Sequence, residues 1–365
     1  MKTRLSKVQK QIVKHVSNAI LISKTENITY LTNFSGFSKD EREAFLFITK
    51  NKQYILTDGR YSTAVKNQIK EFELIEISPK NPMIKILNAL KTKHKIKTFG
   101  LEENNLTVSE HKKISKHFND TYHHSVSNLR IIKSKSEINA IEKACELGDK
   151  TFDYILKKIK KGISEKELAF EIEFFIKKHG ADISFPPIVA FGKNSAIPHH
   201  VPTMNYEPLT TNSIVLLDFG VRLNNYCSDM TRTVFFGKPT PEQKRIYQTV
   251  LEAQKLAIDH LGRWQAEQLR SHDSSEVDRI ARDYIISKGY PTIPHSLGHG
   301  IGIEVHEAPR LSPKSKDILK KNMVFTIEPG IYITGSGGVR IEDVVVLEKN
   351  KVRLLTHSPK NLTIL

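Results

Sequence analysis

Five residues in the second half of the chain carry the side chains of a metal site: Asp218 in VLLDFG, Asp229 in CSDMTRT, His299 in SLGHGIG, Glu328 in FTIEPG and Glu342 in VRIED. Taken singly, each has an ordinary reading. Asp218 before Phe219 and Gly220 suits a turn, Glu328 before Pro329 suits the end of a strand, and His299 suits a hydrogen-bonded core imidazole. Together they are four carboxylates and one imidazole on apolar or glycine-lined segments, a set expensive to bury unless cations neutralise it. Two divalent ions would balance the carboxylates, and bridging carboxylates hold such ions about 3.5–4 Å apart. Oxygen-rich ligation with one nitrogen and no thiolate favours manganese or cobalt over a structural zinc.

The elements that must position these groups are legible around them. SIVLLDFGVRLNNYCSDMTRTVFFG reads as two strands joined by a turn at Leu223, Asn224 and Asn225. That hairpin sets Asp218 and Asp229 opposite or nearly opposite each other, about 5 Å apart at Cβ, where two carboxylates share a proton or bind a cation. MVFTIEPGIYI and GGVRIEDVVVLE give Glu328 and Glu342 an analogous strand pair. A helix is expected from Ser134 until Gly162 stops it. Ser164 and Glu167 form a capping box ahead of a second helix that ends at Gly180. Thr240, Pro241 and Gln243 open a third, and SSEVDRIARDYIISKG forms a fourth. The pattern is two successive helix, helix, hairpin units without a tandem repeat, one ending in two Asp and the other in two Glu.

Upstream, residues 19–23, 43–49 and 53–57 read as strands, and RYSTAVKNQIK and NPMIKILNALKTK have helical periodicity. The chain of 365 residues is too long for one ordinary core. We therefore expect an α/β (α+β) protein with an N-terminal domain at 1–128 and a second domain at 129–365. A hydrophobic content of 39% and a charged content of 26% are those of a soluble globular protein. No apolar run approaches the roughly 20 residues of a membrane helix, and the basic amphipathic start lacks a signal-peptide core. Cys145 and Cys227 offer no metal-type spacing, which fits a reducing cytoplasm. The net charge of +16 raises nucleic acid and anionic membranes as partners. Its lysines, however, are scattered along helices among glutamates, as on a solvated surface, so neither partner is expected.

The strings DFG with SDMTRT, HSLGHGIGIEVHEAP, TIEPGIY and GGVRIED resemble the signature of the Xaa-Pro aminopeptidase and prolidase branch of the pita-bread metallopeptidases. YLTNFSGF, ILTDGRY and FGLEENNL are similar to the creatinase-type N-terminal domain of that branch, so the likeness covers nearly the whole chain. It implies a creatinase-type α/β domain followed by a pita-bread catalytic domain. By the same resemblance Asp218 chelates one of two divalent ions, Asp229 and Glu342 bridge both, and His299 with Glu328 completes the other. Manganese is the expected ion, with cobalt or zinc as alternatives.

His199 in NSAIPHHVP, His295 in HSLGHG, His306 in EVHEAP and Arg340 match further family positions. The resemblance assigns Glu328 to proton transfer, His306 to donation toward an oxyanion, His199 and His295 to the proline side of the pocket and to proton shuttling, and Arg340 to holding the anionic groups in register. Tyr226, close to Asp229, is a candidate substrate contact. The expected activity is removal of an N-terminal residue from peptides with proline in second position, by a homodimer. The alternative is a prolidase confined to Xaa-Pro dipeptides, and a reading of another class is an inactive pita-bread binding protein. A dedicated site is needed because an Xaa-Pro bond has no amide hydrogen and a ring that blocks ordinary extended binding.

Overall fold

A computed structural model of the chain describes residues 2–14, 18–118, 120–123, 126–202, 208–267, 273–349 and 351–365. They form two compact units, Met1–Arg130 and Ile131–Leu365. The smaller is built on a six-stranded sheet in the order Glu73–Ile77, Gln53–Asp58, Ala44–Thr49, Ala19–Ile22, Thr98–Leu101, Asp120–His123. Its three central strands are the apolar runs evident in the sequence, and they pair antiparallel. The other three add in parallel. The helices Ser62–Gln68 and Met83–Lys93 lie where periodicity placed them, joined by Thr25–Thr32 and by Val108–Ser115, which a Thr107–Glu110 capping box opens.

The larger unit has two halves, each with its own core. In the first, helices Lys135–Leu156 and Glu165–Lys178 pack against the sheet of Ile188–Phe191, Ser213–Phe219 and Met230–Phe236 through Ile155, Leu168, Ile172, Leu217 and Val234. In the second, helices Pro241–Glu267 and Ser274–Ser287 pack through Val250, Ala281, Phe325 and Val345. They face a five-stranded sheet ordered Glu307–Leu311, Gly298–Gly300, Val324–Ile327, Asp343–Leu347, Val352–Leu354. Ser134 with Glu137, Ser164 with Glu167, and Thr240 with Gln243 all form the reciprocal bonds of capping boxes. The fold is thus the expected combination of an α/β unit and a mixed helix-and-sheet unit.

One element ends early. The first long helix stops at Leu156, not at Gly162. Ile159 and Ile163 turn into the core of the first half, which requires Lys157–Lys161 to leave the helical path. Gly162 then adopts a positive φ of 88° and donates its N–H to Leu209 O.

Candidate metal centre

The hairpin carrying the two aspartates closes through Asn224 and Asn225, both at positive φ, between the paired Leu223 and Tyr226. A two-residue loop of this hand matches the twist of the strands it joins. Asp218 lies on the strand Ser213–Phe219, and Asp229 just before Met230, which pairs with Phe219. Glu328 and Glu342 occupy the corresponding place in the other half, one residue outside the paired Ile327 and Asp343. Beside Val324–Ile327, on the side away from Asp343–Leu347, runs the short strand Gly298–Gly300 that carries His299. A Cβ on Gly298 would stand 1.9 Å from Thr326 O, and one on Gly300 2.1 Å from Ala308 O, so only glycine lets this strand lie between its neighbours.

Asp229, His299 and Glu342 each offer a ligand atom within 4.8 Å of the others. Glu328 Oε1 is 3.4 Å and Asp229 Oδ2 3.6 Å from His299 Nε2. Asp218 stands at the same cavity with its Oδ2 accepting from Arg340 Nη2 at 2.5 Å. The structure therefore brings Asp229, His299 and Glu342 into one cluster, adds Glu328 at its edge, and ties Asp218 to an arginine. All five line one cavity of about 430 Å³.

Electrostatically this cluster is incomplete as protein alone. Burial, then Glu342, raises Asp229 well above the ordinary carboxylate range, and burial with the same neighbour does so for Glu328. Glu342 is pushed up to about 8 by burial and then by Asp218. Burial, followed by the adjacent His306, lowers His299 to about 3, so its ring is neutral and able to bind a metal. Asp218 Oδ1, Asp229 Oδ1 and Glu342 Oε1 are buried without a hydrogen-bond partner among the described residues. Buried polar atoms are ordinarily paired. The unsatisfied oxygens of Asp229 and Glu342 belong to residues that, with His299, form a group that could hold a divalent cation.

The remaining expected residues are placed as follows. His199, His295, His306 and Arg340 all line the cavity. His306 packs edge-on against His299, with ring centroids 4.4 Å apart. Its position is set by a buried ion pair, Lys133 Nζ to Glu307 Oε2 at 3.1 Å, and by Glu304 N donating to Glu307 Oε1. His295 has both ring nitrogens engaged, Nδ1 with Ser296 O and Nε2 with Tyr332 Oη, each at 2.8 Å. Burial, partly offset by the Ser296 carbonyl, lowers it to about 4. Nδ1 is therefore the donor to the carbonyl, and Nε2 accepts from the phenol. Arg340 donates through Nε to Thr231 Oγ1 at 3.0 Å and through Nη1 to Tyr332 Oη at 2.8 Å. Arg340 thus donates to Asp218 on one side and to Tyr332 on the other, and Tyr332 donates in turn to His295. Tyr226 does not contact this cavity; its hydroxyl donates to Glu137 Oε1 at 3.0 Å, because the pleat that turns Asp229 inward sends Tyr226 toward the first helix.

Several contributors carry no local sequence signal. Thr231 Oγ1 donates to Glu342 Oε2 at 2.8 Å across 111 positions of sequence, joining the two halves. Gln254, fully buried on the helix Pro241–Glu267, donates through Nε2 to Ile327 O at 3.0 Å and Ile341 O at 3.2 Å, the residues preceding Glu328 and Glu342. Arg310 is paired across the strands with His299, lines the cavity, and its guanidinium makes no hydrogen bond or ion pair among the described residues. Strand alternation beyond His306 was the one cue that could have found it.

Residues 139–349 match the model of metallopeptidase family M24, and residues 4–133 match the creatinase/prolidase N-terminal domain. This chain belongs to metallopeptidase family M24. Within it, the chain is 36% identical to an Xaa-Pro dipeptidase of Pyrococcus furiosus over 99% of this chain and 100% of that one. A solved Xaa-Pro dipeptidase from Bacillus anthracis superposes with a TM-score of 0.90 at 35% identity, covering 100% of this chain and 99% of the other. An X-Pro aminopeptidase from Thermotoga maritima gives 0.84 at 34% identity, covering 96% and 98%. The likeness places this M24 member in the Xaa-Pro peptidase branch of the pita-bread fold. The divalent ions that membership implies fit the unsatisfied donors of Asp218, Asp229 and Glu342.

Proposed function

We propose that this M24 member is an Xaa-Pro dipeptidase working with two divalent ions, of which manganese suits the oxygen-rich donors best. Asp218, Asp229, His299, Glu328 and Glu342 would hold them, with Asp229 and Glu342 shared. The observation carrying the dipeptidase reading over the aminopeptidase one is Arg310. A guanidinium in this cavity that is unpaired among the described residues suits a carboxylate, and only a dipeptide presents its C-terminal carboxylate one residue beyond the scissile bond. The dipeptidases of P. furiosus and B. anthracis support this reading, whereas likeness to the T. maritima aminopeptidase keeps longer peptides as the second one.

Bound in this site, divalent ions supply Lewis acidity toward the scissile carbonyl and a water acidified to near neutrality. The chain's own groups do the rest. Phe185, Pro186, Ile188 and Val305 offer an apolar wall to the proline ring. Glu328, at the edge of the cluster, would take up a proton on its carboxylate and deliver it to the departing proline nitrogen. His306, with no hydrogen bond among the described residues, is the donor to the carbonyl oxygen, a contribution worth about 3–4 kcal/mol. His199 faces the substrate, while His295, its nitrogens engaged, serves as a neutral wall. Arg340 holds Asp218 in place through its hydrogen bond to Oδ2. The reading takes the protein as a cytoplasmic homodimer without nucleic-acid or membrane partners; two buried free thiols, Cys145 and Cys227, suit a reducing compartment.

The test is a length panel on the manganese-loaded protein: an Xaa-Pro dipeptide, its C-terminal amide and an Xaa-Pro tripeptide. The dipeptide should be preferred by about tenfold or more, and Arg310→Ala should erase the preference at a cost of about 2 kcal/mol in kcat/KM for the dipeptide alone. Equal cleavage of dipeptide and tripeptide overturns the dipeptidase reading in favour of the aminopeptidase.

A further inference from the structure

The segment from Phe191 to His200 delivers His199 to the cavity, and a single carboxylate grips it from behind. Glu165, first residue of the helix Glu165–Lys178, is 2% exposed. Its Oε1 accepts from Phe191 N at 2.8 Å and from Asn194 Nδ2 at 2.9 Å, and its Oε2 accepts from His200 Nε2 at 2.7 Å. His200 is itself 9% exposed. A first-turn position favours the negative charge, and three donors satisfy it, all from this one segment.

Other anchors act on the same stretch. Ser195 Oγ donates to Gly192 O and accepts from Gly338 N, and Pro198 O accepts from Arg340 Nη1 at 3.4 Å. His199 thus sits between two fastened neighbours, Pro198 and His200, while its own ring lines the cavity and makes no hydrogen bond among the described residues. Its place in the cavity is set by its backbone. On the far side of His199, that backbone is fastened by the Glu165–His200 pair.

We propose that Glu165 and His200 are positioning residues whose buried pair holds the His199 imidazole at the substrate. The idea rests on reading the cavity as an Xaa-Pro peptidase site. Adjacent histidines divide the work: one is locked so that the other stands in a defined place with its nitrogens free. A displacement of about 1 Å at such a group costs about a hundredfold in turnover efficiency.

The experiment compares His200→Ala, His200→Gln, His199→Ala and the double variant His199→Ala/His200→Ala as metal-loaded full chains. Activity is read on an Xaa-Pro dipeptide, and the His199 ring is followed by NMR with labelled histidine on samples loaded with diamagnetic zinc. His200→Ala should lower kcat/KM by about tenfold to a hundredfold, mainly through KM, with metal content unchanged. His200→Gln places an amide donor near the former Nε2 and should recover most of the loss. In the His199→Ala background, removing His200 should change kcat/KM by less than about twofold, because residues acting through one group are not additive. The His199 resonances should shift and broaden in His200→Ala and not in His200→Gln. Multiplying losses in the double variant, or an unmoved His199 signal in His200→Ala, overturns the proposal. If the wild type cleaves no Xaa-Pro substrate, the functional reading alone falls and the His199 signal still decides. Should His200→Ala fail to fold, Glu165→Gln, which keeps acceptors for Phe191 and Asn194, is read in its place.

Discussion

The carboxylates of Asp218, Asp229 and Glu342 differ from others in the chain because one buried oxygen of each has no donor among the described residues. For Asp229 that oxygen is Oδ1, open to a proton or to a cation. Asp229→Asn removes a charge from the cluster, and metal analysis should show ions lost together with turnover; two ions retained at a normal rate would contradict the shared-ligand assignment. His306 packs on His299 without joining the clustered ligand atoms. His306→Ala should therefore lower kcat by about a hundredfold while leaving metal content intact; parallel loss of both would make it a ligand. The pH dependence of the metal-free protein follows from Glu342, whose folded value of about 8 lies above its ordinary 4.5. Across that interval the folded state keeps a proton that the unfolded chain has released, so stability declines as pH rises from about 4.5 to 8. Metal loading replaces the proton and should flatten the profile; a chelated sample whose melting temperature climbs over this range would refute the assignment.

Secondary-structure elements supply what single residues cannot, a fixed separation between ligands from distant segments. The helix Pro241–Glu267 does this through Gln254, whose one amide nitrogen bonds the carbonyls preceding both glutamates. Gln254→Leu leaves two buried carbonyls unanswered and should cost about 2–3 kcal/mol by denaturant unfolding, with weaker metal retention. Destabilisation at unchanged metal affinity would show that the amide supports the fold without setting ligand spacing. Legibility divides at this scale. Asn224–Asn225 and the capping boxes at Ser164 and Thr240 announce themselves because their chemistry is local. Gln254 does not, since a glutamine within a helix reads as part of its wet face. The edge strand Glu73–Ile77 is illegible for a similar reason: its exposed Glu73 and Glu76 mimic a loop, although such charges are how an edge strand avoids further pairing.

For the whole molecule, the centre exists only because the two halves of the larger unit are stitched together. Glu342 N donates to Thr231 O, Thr231 Oγ1 to Glu342 Oε2, and Thr233 Oγ1 to Arg340 O, while Arg232 donates to Glu342 O and pairs with Asp343. Motif order in the sequence disclosed which groups would meet, whereas this stitching, between segments over 100 residues apart, left no periodic trace. Ions held by ligands from both halves would act as a further cross-link. Every candidate ligand lies between residues 218 and 342, within Ile131–Leu365, so metal should stabilise that unit by mass action, about 4 kcal/mol at a thousandfold excess over Kd. Amide hydrogen exchange resolves the effect by element. Loading with manganese should slow exchange in Ser213–Phe219, Met230–Phe236, Val324–Ile327 and Asp343–Leu347, and leave the central strands Ala19–Ile22 and Ala44–Thr49 unchanged. Protection confined to one half would place the ions on a single pair of carboxylates and rule out a centre shared between the halves.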